Sequence, residues 1–182
     1  MLNSNSIFNR AAACMEICRG LSLEMAAQAL KILYLEDDLG SLLGLFTVIE
    51  GRKVIIINQN LEPYTKKEAF FHELGHCNLH SDPFVAPALD SALYHTNAGA
   101  EYEANAFAAH CLLDSKEVLE MVKEGYSLAQ LAASFCCSPD LVLIKLKEMK
   151  AMGYKINVPM QVNPTFLSNR AGAFEEHAIN YT

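Results

Sequence analysis

Residues 70–76 of the chain read Phe70-Phe71-His72-Glu73-Leu74-Gly75-His76, and they contain two histidines four residues apart. It lies within Lys66 to His80, a segment that predicts a helix. Residues four apart on a helix share one face and lie about 6 Å apart along the axis, so two imidazoles can bind one ion. Zinc accepts histidine nitrogen readily. The stretch therefore predicts His72 and His76 as zinc ligands and Glu73 as the general base.

A catalytic zinc site needs a third protein ligand and keeps one coordination position open. One scheme takes Asp82 as that ligand, but it needs a glycine to bend the chain back where Leu79 stands. His80 continues the four-residue spacing of the two histidines. It lies about 12 Å along the helix axis from His72, too far for both to bind one ion at about 2 Å. Both schemes are disfavoured, and His80 is interpreted as a residue of the helix end or of the cleft wall.

The remaining scheme takes a glutamate from a second helix, which the sequence predicts from about Ala100 to Leu113. On this helix Glu101 and Asn105 share a face. Ala104 lies on a strip of small residues that allows a close approach to the histidine helix, and Gly75 allows it from the other side. Asn105 is suited to hydrogen-bond a ligand histidine. The sequence therefore favours Glu101 as the third ligand.

The composition of the 182 residues is that of one globular domain, with 52% hydrophobic and 19% charged residues. A formal net charge of −7 argues against nucleic acid as the main partner, because phosphate binding needs a basic surface. No apolar run approaches the roughly 20 residues of a membrane span, and Met1 to Arg10 does not have the pattern of a secretory signal. We therefore expect a cytoplasmic protein with six reduced cysteines and no membrane partner.

The segment before the histidine helix changes in character. Two β-branched runs, Leu45 to Ile49 and Val54 to Ile57, are separated by a short polar turn, which predicts a hairpin. The second run is wholly apolar, which is typical of a strand covered on both faces. Asn9 to Leu35 predicts two helices with a break at Gly20. The predicted fold class is α+β, a small antiparallel sheet packed on a helical core that carries the histidine helix and the glutamate helix.

The domain organisation follows from the same patterns. We predict a single metallopeptidase domain over residues 1–155 and a poorly packed C-terminal tail over residues 156–182. Residues 126–150 have the outline of a helix-turn-helix, which could read DNA or cover the core. Covering the core is favoured, because the few lysines of this segment cannot offset an acidic chain. Tyr94 and His95, between the two metal helices, are candidates to stabilise the oxyanion of the reaction.

Taken together, these features resemble the ImmA/IrrE family of metallopeptidases over roughly Gly40 to Met149. The resemblance rests on three stretches, Val54 to Asn58, Phe70 to His80 and Glu101 to Ala109. It implies that His72, His76 and Glu101 bind zinc and that Glu73 is the general base. The chain departs from the family pattern directly after Ala109, where many members have an apolar run that ends in Met-Pro.

The resemblance also implies a substrate class. Family members commonly act on repressors of the helix-turn-helix class on phages and mobile elements, so the implied reaction is hydrolysis of a peptide bond in such a protein. An alternative stays open, a regulatory protein that docks a transcription factor without cleaving it. The intact Glu73 favours the enzyme, a zinc metallo-endopeptidase, because binding alone needs no general base.

Overall fold

The computed structural model of the protein describes residues 2–80 and 98–156. These residues form helices and one three-stranded sheet. In chain order the elements are α1 (Ser4–Cys18), α2 (Leu23–Ala29), β1 (Leu33–Asp37), β2 (Gly44–Ile49), β3 (Arg52–Asn58), α3 (Pro63–Leu79), α4 (Ala98–Leu112), α5 (Ser115–Lys123), α6 (Leu128–Phe135) and α7 (Pro139–Ala151). The predicted α+β class, a small sheet on a helical core, is confirmed.

The sheet has the strand order β1-β3-β2 and is mixed. β2 and β3 pair antiparallel, as the predicted hairpin requires, whereas β1 pairs parallel with β3. The prediction that helix extends to Leu35 is wrong, because α2 ends at Ala29 and the chain turns at Lys31, whose φ is 60°. The pairing of β1 with a strand some twenty residues later overrides the helical pattern. The sheet is therefore antiparallel only in its hairpin.

β3 is the central strand and supports α3. Ile55 and Ile57 on one of its faces are fully buried, and Val54 on the other face is 1% exposed, so the prediction of a strand covered on both faces is confirmed. The ring of Tyr34 from β1 meets the edge of Phe70 from α3 at a centroid distance of 5.9 Å. The sheet thus fixes the helix that carries the two histidines.

The helix α3 begins one turn earlier than the sequence predicted. Pro63 occupies its first turn, where the missing N–H costs no hydrogen bond and the fixed φ suits a helix. Glu62 is the residue before the helix, so Lys66 already lies inside it. The helix ends at Leu79, and His80 follows as the capping residue, which confirms its predicted place at the helix end.

The helices α3 and α4 touch at their backbones. A Cβ atom built on Gly75 would lie 2.9 Å from both Cα and O of Ala104, closer than side-chain atoms pack. Ala104 and Phe107 on α4 are fully buried. The predicted close approach through small residues is confirmed, and it places the first turn of α4 opposite the histidines of α3.

The helix-turn-helix outline of residues 126–150 corresponds to α6 and α7. Ser127 caps α6 in a reciprocal capping box with Gln130. α7 is largely buried, including Lys145 at 1% exposure, and Glu68 of α3 accepts a hydrogen bond of 2.9 Å from the Ser138 hydroxyl at its start. The two helices pack against the core and cover it, as the sequence favoured. The expectation that the chain binds no nucleic acid stays a prediction.

Some expectations fall on residues beyond those that the structure describes. Asp82, Tyr94, His95 and the predicted tail after Ile156 are among them, so the division into a domain and a tail stays a prediction. Within residues 2–80 and 98–156, no single helix is both long enough and apolar enough to cross a lipid bilayer.

Candidate metal centre

α3 presents both histidines of the motif on the face that meets α4. His72 is 2% exposed, and His76 is half-buried one turn further along. Their Nε2 atoms lie 3.1 Å apart, with the ring planes nearly perpendicular. The four-residue spacing on a helix therefore brings two nitrogen atoms to one point, as the sequence predicted.

Glu101 reaches the same point from the first turn of α4. Its Oε2 atom lies 3.4 Å from Nε2 of His72, and its Oε1 atom lies 3.5 Å from Nε2 of His76. One ligand atom from each of these side chains lies within 4.8 Å of the other two. No other group of three His, Cys, Asp or Glu side chains in the described parts of the chain meets this test.

The three side chains fit a metal ion. Two ligands of a tetrahedral zinc ion at about 2 Å lie about 3.3 Å from each other, close to the observed separations. Glu101 Oε2 is buried without a hydrogen-bond partner, an arrangement that costs free energy unless a cation lies beside it. Two imidazole nitrogens with one carboxylate oxygen are a donor set that zinc accepts.

Asn105 fixes the orientation of His72. The Nδ1–H of His72 donates a hydrogen bond of 2.8 Å to Oδ1 of Asn105, which is fully buried on α4. This bond places the proton on Nδ1 and leaves the lone pair of Nε2 directed at the site. The predicted hydrogen bond between Asn105 and one of the two histidines is confirmed.

The electrostatics of the group favour a cation. Burial raises the pKa of Glu101, but the neighbouring imidazoles of His72 and His76 outweigh it and lower that pKa overall, so the carboxylate is ionised. Burial lowers the pKa of His72, but Glu101 and the charge of Glu73 outweigh it and raise that pKa overall. The group therefore attracts positive charge, which a bound metal ion can supply in place of a proton.

Glu73 lies beside the three-residue group and is half-buried between α3 and the sheet. A Cβ atom built on Gly44, the first residue of β2, would lie 3.0 Å from Cγ of Glu73 and 3.3 Å from its Oε1. The carboxylate that the sequence singled out as the base thus packs against the start of a strand. Gly44 could not be identified from the sequence, since a lone glycine before a strand carries no signal of its contacts.

The other polar residues near the motif have structural contacts. Nε2 of His80 lies 3.3 Å from the carbonyl oxygen of Ala100, which joins the end of α3 to the start of α4. Glu103 is buried at 5% exposure, accepts a hydrogen bond from the backbone N–H of Leu2 and lies 4.0 Å from Nδ1 of His80. Neither His80 nor Glu103 belongs to the group around Glu101.

A buried polar chain between α4 and α7 includes His110, the residue directly after Ala109. Tyr102 donates a hydrogen bond of 2.6 Å to Glu148, which lies 3.6 Å from Nε2 of His110, and Nζ of Lys145 lies 3.1 Å from Nδ1 of His110. Burial lowers the pKa of Lys145 to about 8. Tyr102 packs between α4 and α7. His110 is thus buried beside polar side chains of α7.

The family model of the IrrE N-terminal-like domain, a peptidase family, matches residues 25–147, more than half of the chain. The matched range contains His72, His76 and Glu101, and also Glu73 and Asn105. No curated protein matches the chain.

Proposed function

Because the chain belongs to the family of the IrrE N-terminal-like domain, a family of peptidases, we propose that it is a zinc-dependent endopeptidase acting on a protein substrate. One observation carries the proposal. His72, His76 and Glu101 meet within 4.8 Å, and a buried oxygen of Glu101 has no hydrogen-bond partner. Side chains so arranged bind a cation more favourably than they pack against one another.

In this proposal His72, His76 and Glu101 hold one zinc ion, and Asn105 keeps His72 in the binding tautomer. A bound zinc ion supplies Lewis acidity at the scissile carbonyl and lowers the pKa of water. Three protein ligands are the number found at catalytic zinc sites, which keep a position open, whereas structural sites have four.

Glu73 is the residue that moves the proton. It lies one position after His72 and is half-buried, so its carboxylate is held in place and still open to water. As water attacks the scissile carbonyl carbon, Glu73 accepts one of its protons, and it then donates that proton to the leaving amine. The carboxylate ends the cycle ionised, ready for the next substrate.

The substrate that we propose is a repressor of the helix-turn-helix class, encoded on a phage or mobile element. The resemblance of the motif stretches to the ImmA/IrrE family supports this choice. A cytoplasmic location suits such a partner, and the cysteines are free thiols, as that compartment favours.

The metal content of the protein tests the first step of the proposal. Metal-free protein reconstituted with zinc and freed of excess ion should carry about one zinc per chain by elemental analysis. A variant with both His72→Ala and His76→Ala is the matched control and should carry none. Wild-type protein that retains no zinc under these conditions would contradict the proposed metal centre.

A further inference from the structure

Gly44 begins β2 without a backbone reason to be glycine. Several glycines of the described chain, Gly40 and Gly51 among them, have positive φ angles that other residues rarely adopt, but Gly44 is not one of them. Glycine in a strand costs stability, because it adds chain entropy and packs no side chain. Its presence at this position needs another physical reason.

The reason lies in what a side chain would meet. A Cβ atom on Gly44 would lie 3.0 Å from Cγ of Glu73, 3.3 Å from Oε1 of Glu73 and 3.0 Å from Cδ1 of Ile57. Separations this short force a neighbour to move. The bare Cα of Gly44 therefore forms the surface on which the Glu73 side chain rests.

The two neighbours differ in how freely they can move. Ile57 is fully buried, and it pairs directly opposite Gly44 in the register of β2 and β3. A displaced Ile57 would strain a closely packed core. Glu73 is only half-buried, so its side chain can swing away at lower cost. An added methyl group at Gly44 is accordingly accommodated mainly by displacement of Glu73.

We infer that Gly44 is a positioning residue for Glu73, because its missing side chain lets the carboxylate rest against β2 in the place where the proposed proton transfer requires it. The inference rests on the proposed function. Proton transfer in an enzyme depends on the position of the base, and contacts of 3.0–3.3 Å require the Glu73 side chain to give by a few tenths of an ångström, which lowers the rate. The three atoms nearest to a Cβ atom on Gly44 belong to Glu73 and Ile57 and not to His72, His76 or Glu101, so we expect metal binding to be independent of Gly44.

The test uses Gly44→Ala in the full-length zinc-loaded protein, with a purified helix-turn-helix repressor encoded beside its gene as the substrate. We expect kcat to fall by about 10-fold or more, with KM and zinc affinity unchanged. A crystal structure of the variant should show the Glu73 carboxylate displaced from β2. The zinc affinity and the crystal structure are readouts that do not depend on turnover.

The double variant Gly44→Ala with Ile57→Val separates positioning from core strain. Valine lacks the Cδ1 atom, so this variant relieves the contact with the core and leaves the contact with Glu73. Its melting temperature should recover toward that of Ile57→Val alone, while kcat stays low. Full turnover in Gly44→Ala, or turnover restored by Ile57→Val, would overturn the inference, as would a parallel loss of zinc affinity. A wild-type protein that binds zinc but cleaves nothing would overturn the proposed function and this inference with it.

Discussion

Replacing Glu101 with alanine should weaken zinc affinity by more than the roughly 10–100-fold that is typical when a residue behind a metal ligand is lost. Glu101 contributes the only carboxylate within 4.8 Å of the two histidine nitrogens in the described chain. Without it, His72 and His76 are left as two ligands, and a site with two protein ligands holds zinc weakly. A competition titration against a chromophoric chelator measures the change.

Two variants on the same helix serve as controls for Glu101→Ala. Glu103 is two residues further on, about 200° around the helix axis. Its carboxylate accepts the N–H of Leu2, so Glu103→Ala should lower the melting temperature and leave zinc affinity about unchanged. Asn105→Ala removes the hydrogen bond to His72 and should cost about 10–100-fold in affinity, less than Glu101→Ala. Loss of zinc in Glu103→Ala with retention in Glu101→Ala would show that the ligand assignment is wrong.

Replacing Glu73 with glutamine should lower kcat by about 100-fold to 10,000-fold and leave zinc affinity nearly intact. An amide of the same shape can hydrogen-bond water but cannot accept its proton. Glu73 lies outside the group of three side chains that meet at the metal centre, so the ion keeps its ligands. The measurement is the rate of repressor cleavage by the zinc-loaded variant beside that of the wild type.

The same variant separates the enzyme from the docking alternative. A protein that only docks a transcription factor needs no general base, so Glu73→Gln would relieve repression as well as the wild type does. If the variant binds both zinc and the repressor, but the repressor stays intact and still represses, the wild-type protein acts as a peptidase. Turnover equal to that of the wild type would show that another group accepts the proton.

The sequence predicted those parts of the site in which residues four apart share one face of a helix. The spacing of His72 and His76 determines that both imidazoles share a face, and the spacing of Glu101 and Asn105 does the same on α4. The structure brings the four side chains together through the contact of His72 with Asn105 and the contacts of Glu101 with His72 and His76. Small residues on both helices also predicted the site, because α3 and α4 must approach closely for their side chains to bind one ion.

The parts that the sequence did not reveal depend on contacts between distant segments. β1 follows a helical pattern and becomes a strand because β3 offers a parallel partner. Gly44 shows its importance only through the distance to Glu73, which lies on another element. His110 and Lys145 look like surface residues in the sequence, yet they meet in the buried chain between α4 and α7. Contacts between distant segments leave no periodic pattern in the sequence.

The most direct test of the proposed peptidase is the intact mass of a helix-turn-helix repressor encoded beside the gene, after incubation with the zinc-loaded protein. We expect two fragments whose masses sum to that of the repressor plus one water molecule, because hydrolysis adds water across the broken bond. A zinc chelator should prevent their formation, and added zinc should restore it. If the repressor keeps its full mass in the presence of zinc-loaded wild-type protein but no longer binds DNA, the result would contradict the proposal and favour docking.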